Sequence, residues 1–354
     1  MTPTRLEPAP AGLAPGRDVW LKREDEHELG AFKWRGALPA MQAFRDAGAT
    51  AVVTASTGNH GAASAWAAAR LGVQAIVYAP EGSARAKLEL IERHGGEIRI
   101  LGADLDVAKD EAQRVAADEG MPFFADGAEE AQYGGYAAIA DEVLDQLESP
   151  PGAVVVPVGN GALLGGIGLR LAERSPATLR VGVVAAAAPV MAECWEAGRV
   201  VERGADPTIA DGLAVRVAIP YAVDVLARTA QRMVRVDERE LATAIGALAG
   251  AGIRVEASGA AALAALAQVE DVAGPVVLIV TGRNIDEALY RRAVEDPGSF
   301  PSRNATTQAR QATARSAAQA GRGPGFRTYG SPCSTTPRFW SCSIQKSSAA
   351  TASP

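Results

Sequence analysis

The sequence predicts an α/β protein of two three-layer domains with mostly parallel sheets, followed by a disordered C-terminal tail. Three observations carry that reading. Short apolar runs alternate with helical patterns at the spacing of strand–helix–strand units. The alternation pauses and restarts with Ala153-Val154-Val155-Val156-Pro157, a continuous apolar run of the kind buried on both faces of a sheet. Hydrophobic residues make up 48% of the 354 positions, charged ones 21% and aromatic ones 5%, a balance suited to tightly packed layers with room for two cores.

The elements follow in chain order. The first thirty residues, with Pro3, Pro8, Pro10 and Pro15, read as loop apart from a strand at Val19 to Lys22. A helix is predicted from Trp34 to Ala47, stopped by Gly48. Strand Ala51 to Thr54 precedes an alanine-rich helix, Ala62 to Leu71, ended by Gly72. Strand Ala75 to Tyr78, helix Ala84 to Arg93, strand Ile98 to Leu101, helix Asp104 to Glu119 and a short strand Pro122 to Phe124 complete the first series. The second has helix Tyr136 to Leu147, the strand ending at Pro157, helix Leu163 to Glu173, strand Arg180 to Val184 and helix Val190 to Ala197. After an irregular segment come strand Met233 to Val236, helices Asp237 to Ala249 and Ser258 to Ala267, and strand Val276 to Val280. No short-period repeat interrupts this pattern, which excludes a solenoid.

After Asp296 the composition changes. Seven basic residues and no acidic one follow, in a stretch rich in Ser, Thr, Ala, Gly and Pro. Such a segment is expected to be disordered. The chain carries a net −6, and the body more than that, so nucleic acid is not expected as its partner. No apolar run approaches a membrane span and no signal-peptide order is present, so a soluble cytoplasmic protein is expected. Cys194, Cys333 and Cys342 form neither a disulfide framework nor a metal-ligand spacing, and His27, His60 and His94 share none. No His-Glu-x-x-His helix or Gly-x-Ser-x-Gly elbow occurs.

In open parallel sheets ligands sit outside the carboxyl ends of strands, so the loops there carry the chemistry. Lys33, in Gly30-Ala31-Phe32-Lys33-Trp34-Arg35-Gly36-Ala37, stands between aromatic residues at a helix mouth. Poor solvation there favours a neutral amine able to form a Schiff base. Ser56-Thr57-Gly58-Asn59-His60-Gly61 offers hydroxyls, an amide and helix N-terminal N–H groups to a small carboxylate, or else simply caps a helix. Gly159-Asn160-Gly161-Ala162-Leu163 is small enough for backbone amides to close on a phosphate, yet it is neither a dinucleotide fingerprint nor a Walker loop. A smaller phosphorylated cofactor, or a loop kept small for packing, fits it. Thr281 places a neutral hydroxyl at the end of the last strand, where a plain turn is the alternative.

Taken in order, these segments resemble the fold type II pyridoxal-phosphate enzymes, in the serine/threonine dehydratase branch that includes serine racemase. Lys22-Arg23-Glu24-Asp25, Thr208 to Val215, Glu256-Ala257-Ser258-Gly259-Ala260 and the Thr-Gly-x-Asn at Thr281 belong to the same likeness, which runs from Thr4 to Glu295. The resemblance implies a large cofactor-binding domain from 1–46 and 132–296, a small domain over 47–131, and a tail over 297–354. It implies pyridoxal 5′-phosphate on Lys33 with Phe32 beside it, Asn59 at the ring oxygen, Gly159, Asn160, Gly161, Ala162 and Leu163 at the phosphate, and Thr281 at the ring nitrogen. Ser56, Thr57, Asn59 and His60 are implied to meet the substrate.

Catalysis then falls to Lys33 as the α-proton base, with Thr57 where racemases of the family place a second acid/base serine. The implied reaction is β-elimination from a hydroxy amino acid, giving a 2-oxo acid and ammonia, in a homodimer. Threonine synthase-like replacement, a lyase for another hydroxy or diamino acid, and a non-catalytic binding protein are the alternatives. Asn160 and Ala162 replace two glycines usual in the cup, and Ala31 stands where a serine is usual. Ala185 falls where relatives often carry a cation-binding glutamate, so no metal is assigned.

Overall fold

In the computed structural model, residues 2–83, 85–204 and 206–302 are described. The tail expected from 297 therefore lies outside the described residues from 303 on, as do Cys333 and Cys342.

Two sheets organise these residues. The larger runs β1 (Leu6–Pro8), β2 (Val19–Arg23), β9 (Val276–Val280), β6 (Ala153–Pro157), β7 (Leu179–Ala185) and β8 (Arg232–Val236) from edge to edge. All its pairings are parallel except β1 on β2. The smaller is a parallel sheet of β3 (Ala51–Ala55), β4 (Gln74–Ala79) and β5 (Glu97–Ile100).

Because side chains alternate along a strand, each sheet feeds two cores. Leu21, Val155, Val181 and Leu278 face one core, where α9 (Glu238–Gly250) and α10 (Ala257–Ala264) supply Leu241, Ile245, Leu248 and Ala261. Val154, Val156, Val277 and Ile279 face the other, covered by α5 (Glu130–Gln146), α6 (Ala162–Arg174) and α8 (Pro220–Thr229). In the small sheet, Val52, Ala75 and Val77 pack with α1 (Trp34–Asp46) and α2 (Asn59–Leu71), and Val53, Ile76 and Tyr78 with α4 (Leu105–Asp118). The unbroken apolar run at β6 is thus a strand covered on both sides, as its sequence requires.

Helix α1 also crosses α5 at close range. A Cβ on Gly135 would lie 1.9 Å from the Arg35 carbonyl oxygen, and one on Gly36 2.4 Å from Tyr136 Cζ. The glycines let two backbones meet where larger residues would hold the helices apart.

The structure differs from the sequence reading in several elements. Pro122-Phe123-Phe124 makes only a bridge, Phe123 to Val53, because its Phe124 ring turns into the α1–α2 core. β1 was hidden among the N-terminal prolines. α8 begins at Pro220, which suits a first helical position, inside the segment taken as irregular. Helix α5 starts six residues before Tyr136. After β9 comes a helix absent from the reading, α11 (Glu287–Glu295), capped by Asp286. The remaining helices α3 (Arg85–Arg93) and α7 (Val190–Ala197) fall where expected.

Candidate active site

The chain leaves β2, β9 and β6, three adjacent strands, at one end of the large sheet and there presents Lys33, Thr281 and Gly159. Backbone contacts bind these exits together. The Phe32 N–H donates to the Thr281 carbonyl at 3.0 Å, and Ala31 bridges Gly282. Lys33 is thereby held at the N-cap of α1. Its Nζ lies 5.1 Å from the Phe32 ring centre. Trp34 turns away, stacked on His27 at 4.6 Å and edge-on to Trp66, so it does not complete the expected aromatic sandwich.

What meets the Lys33 amine is a carboxylate. Nζ is 2.5 Å from Asp126 Oδ2, in a pair with side chains only 17% and 22% exposed. Asp126 follows Phe124 in the loop before α5. Its Oδ1 accepts from Gln132 Nε2 at 3.1 Å and lies 3.6 Å from His60 Nδ1. Burial alone would raise this carboxyl; the nearby Lys33 and His60 outweigh it, with hydrogen bonds from Lys33 and Gln132, and hold it well below the usual range. Sequence reasoning missed Asp126. The available signal was its place just past a predicted strand end.

The 56–61 loop leaves β3 and enters α2. Neither Ser56 nor Thr57 caps that helix: the cap position is Gly58, without a side-chain acceptor, while Ser56 Oγ accepts the Gly58 N–H at 3.1 Å. The first N–H groups of α2 are therefore left for another acceptor, and the helix dipole favours an anion. His60 is buried. Its Nε2 lies 3.1 Å from Thr54 Oγ1, whose own proton goes to the Phe124 carbonyl at 2.8 Å. Thr54 must then accept, which places the imidazole proton on Nε2 and leaves Nδ1 as a lone pair. Among the described residues Nδ1 has no hydrogen-bond partner. Burial is the main cause that pushes this imidazole below its usual value, although Asp126 pulls it upward.

The 159–163 loop turns from β6 into α6. A Cβ at Gly159 would meet the Gly212 carbonyl oxygen at 2.3 Å; at Gly161, which has φ +95°, it would meet Leu226 at 2.7 Å. The loop is bare backbone because nothing larger fits. Asn160 Oδ1 accepts the Ala162 N–H at 3.0 Å, so one donor of the cup is already used. The Leu163 side chain belongs to the core, which leaves only its backbone to serve a ligand. Asn160 also packs against Gly127, next to Asp126, tying the cup to the Lys33 partner.

Asn59, first in α2, donates to Glu256 at 3.0 Å, and its Oδ1 accepts from Asn284 Nδ2 at 2.8 Å. Glu256 is buried at the cap of α10, and desolvation, with repulsion from Asp211, pushes its carboxyl up to about 8. Ser258 Oγ, buried against Gly212, is a second polar atom without a partner among the described residues. Thr281 is buried, and its carbonyl accepts the Phe32 N–H. The described residues contain no cluster of three or more His, Cys, Asp or Glu arranged for a metal ion.

Residues 1–282 match the family described as pyridoxal-phosphate dependent enzymes. The L-threonine ammonia-lyase of Geobacter sulfurreducens is 34% identical over 284 residues, spanning 79% of this chain and 70% of that protein. The biosynthetic L-threonine dehydratase of Mycobacterium tuberculosis is 35% identical over 308 residues, 83% of this chain and 71% of its own. The processed form of threonine deaminase isoform 2 from Solanum lycopersicum superposes with a TM-score of 0.78 at 27% identity, covering 84% and 88% of the two chains. The chain belongs to the pyridoxal-phosphate-dependent enzyme family.

Proposed function

We propose that this enzyme is an ammonia-lyase that uses pyridoxal 5′-phosphate to eliminate the β-substituent of a small hydroxy amino acid of the serine/threonine class. The observation that carries the reading is Lys33, a half-buried lysine placed one strand from Thr281 and two from a glycine cup. The relatives named for threonine deamination support the same substrate class.

The residues present fit the cofactor. The cup has no room for side chains at Gly159 and Gly161, and Ser258 Oγ, buried beside Gly212, which touches that cup, has no partner among the described residues. Lys33 would hold the aldehyde carbon, the 159–163 backbone the phosphate, Asn59 the ring oxygen and Thr281 the ring nitrogen. Bound there, the cofactor supplies an electron sink for the α-carbon of an attached amino acid. Thr281 contributes a neutral hydroxyl rather than a carboxylate, which limits that sink and favours elimination over transamination. The open N–H groups of α2 with Ser56, Thr57 and Asn59 receive the substrate carboxylate. Lys33 takes the α-proton, and the resulting ammonium meets Asp126, already 2.5 Å away. Gln132 Nε2, donating to Oδ1 at 3.1 Å, orients Asp126, and Thr57 stands ready on the second face.

Borohydride reduction of the yellow holoenzyme followed by peptide mapping should fix the cofactor on Lys33. Serine or threonine should yield equal ammonia and 2-oxo acid. A colourless protein that takes up no cofactor would overturn the reading. A cytoplasmic homodimer belongs to the same proposal, and sedimentation would measure its mass. No helix among the described residues is long and apolar enough to cross a membrane.

A further inference from the structure

We propose that Asn284 is a positioning residue: it fixes which way round the Asn59 side-chain amide stands, so that Asn59 meets the cofactor's ring oxygen as a donor only. The inference rests on the lyase reading of the site and adds to it the residue that orients one of its cofactor contacts.

The orientation starts from a group that cannot turn over. The Leu29 carbonyl, just ahead of Lys33, only accepts, so the Asn284 atom 2.7 Å from it is Nδ2. The second hydrogen of that Nδ2 goes to Asn59 at 2.8 Å, and the atom that receives it is therefore Oδ1. Asn59 Nδ2 then faces away from Asn284. It gives one hydrogen to Glu256 Oε1 at 3.0 Å and keeps one for a ligand.

Glu256 does not make this choice. Burial, with repulsion from Asp211, outweighs the pull of Asn59, Lys87 and Lys33 and pushes its carboxyl up to about 8. Near neutral pH it is an acid with both a donor and an acceptor, and it serves either end of an amide. Asn284 offers hydrogens alone, because a flipped Asn59 would set two N–H groups against each other there. The chain also makes room for this contact: a Cβ at Gly30, which has φ +66°, would lie 2.5 Å from Asn284 Oδ1. One side chain thus joins the segment before Lys33, the exit of β9 and the first residue of α2.

The consequence falls on the ring oxygen. A donor beside it favours the ionised form, through a charge-assisted hydrogen bond. The Asn59 oxygen in the same place would require that oxygen to keep its proton.

The test compares the holoenzyme with Asn284→Asp and Asn284→Ala. Asn284→Asp offers only acceptors, which turns Asn59 over. Absorbance should move from the yellow band of the ionised ring to the near-ultraviolet band of the protonated one, with borohydride still fixing the cofactor on Lys33. The apparent Kd for pyridoxal phosphate should rise at least about 10-fold, as loss of a hydrogen bond to a charged group implies. Asn284→Ala frees the amide and should give the same shift at lower amplitude, so it decides the matter if Asn284→Asp does not fold. In an Asn59→Ala background, adding either change should alter Kd by less than about twofold, because the effect runs through Asn59. A parent-like band and Kd, a larger effect from Asn284→Ala than from Asn284→Asp, or full additivity with Asn59→Ala would each overturn the proposal and leave the lyase reading standing. A parent protein that fixes no cofactor on Lys33 would overturn the lyase reading itself.

Discussion

Replacing Arg35, two residues from Lys33, by Met should destabilise the chain by about 3–5 kcal/mol, because it strands the buried Glu24 carboxylate. The Arg35 guanidinium is 4% exposed and gives Nε and Nη2 to Glu24 at 2.6 and 2.9 Å. It gives Nη1 and Nη2 to Glu142, both at 2.8 Å, and Nη2 also reaches Thr4 Oγ1 at 3.0 Å. Without it Glu142 keeps Lys22 at 2.6 Å, whereas Glu24, fully buried, keeps the Thr4 hydroxyl but no cation among these contacts. Methionine nearly fills the vacated volume, so the loss is electrostatic rather than a cavity. Glu24→Gln in the Arg35→Met background should therefore recover about 1–3 kcal/mol, the penalty of the unpaired group. Arg35→Lys should fall between, having the charge but not the planar fork. Urea unfolding of the cofactor-free chain measures all four proteins without ligand linkage. An Arg35→Met variant within about 1 kcal/mol of the parent, or a double variant no more stable than the single, would refute the reasoning.

Two other perturbations test the site's frame. Glu256 titrates near 4.5 unfolded and about 8 folded, so between those values the folded chain holds the extra proton and stability falls as pH rises. Glu256→Gln should flatten the slope of Tm between pH 5 and pH 8, and an unchanged slope would count against the buried acid. Gly161→Ala forces a side chain onto left-handed backbone and against Leu226, with an expected cost of about 2–4 kcal/mol and weaker cofactor binding. Denaturant melts and fluorescence titration with pyridoxal phosphate would show both effects, and parent-like values in both would contradict the tight cup.

Strand–helix alternation was legible because β6 and β9 are runs of residues that only a doubly covered strand can bury. The loops at Ser56 and Gly159 were legible for the same reason: each directly follows such a run. Elements whose patterns are short or masked by proline were not. β1 is three residues ending at Pro8, and α8 opens on Pro220, a residue that reads as a breaker until its N–H proves unnecessary. Nor does the alternation say which strands are neighbours. The order β2-β9-β6 scrambles the sequence, and it alone sets Lys33 next to Thr281 rather than beside the loop of β3.

The environment of Lys33 shows where local reading stops. Its flanking aromatics suggested an apolar sandwich, but Phe32 and Lys33 lie in the turn before α1 and Trp34 opens the helix, and of the two rings it is Phe32 that lies near Nζ. Trp34 instead joins His27 and Trp66. The group that does reach Nζ comes from 93 positions away, on a loop whose aspartate has no periodicity or motif around it. A lysine covered by two rings would meet only apolar surface, whereas Nζ meets the half-buried Asp126 carboxylate 2.5 Å away, so the fold rather than the flanking sequence sets its surroundings.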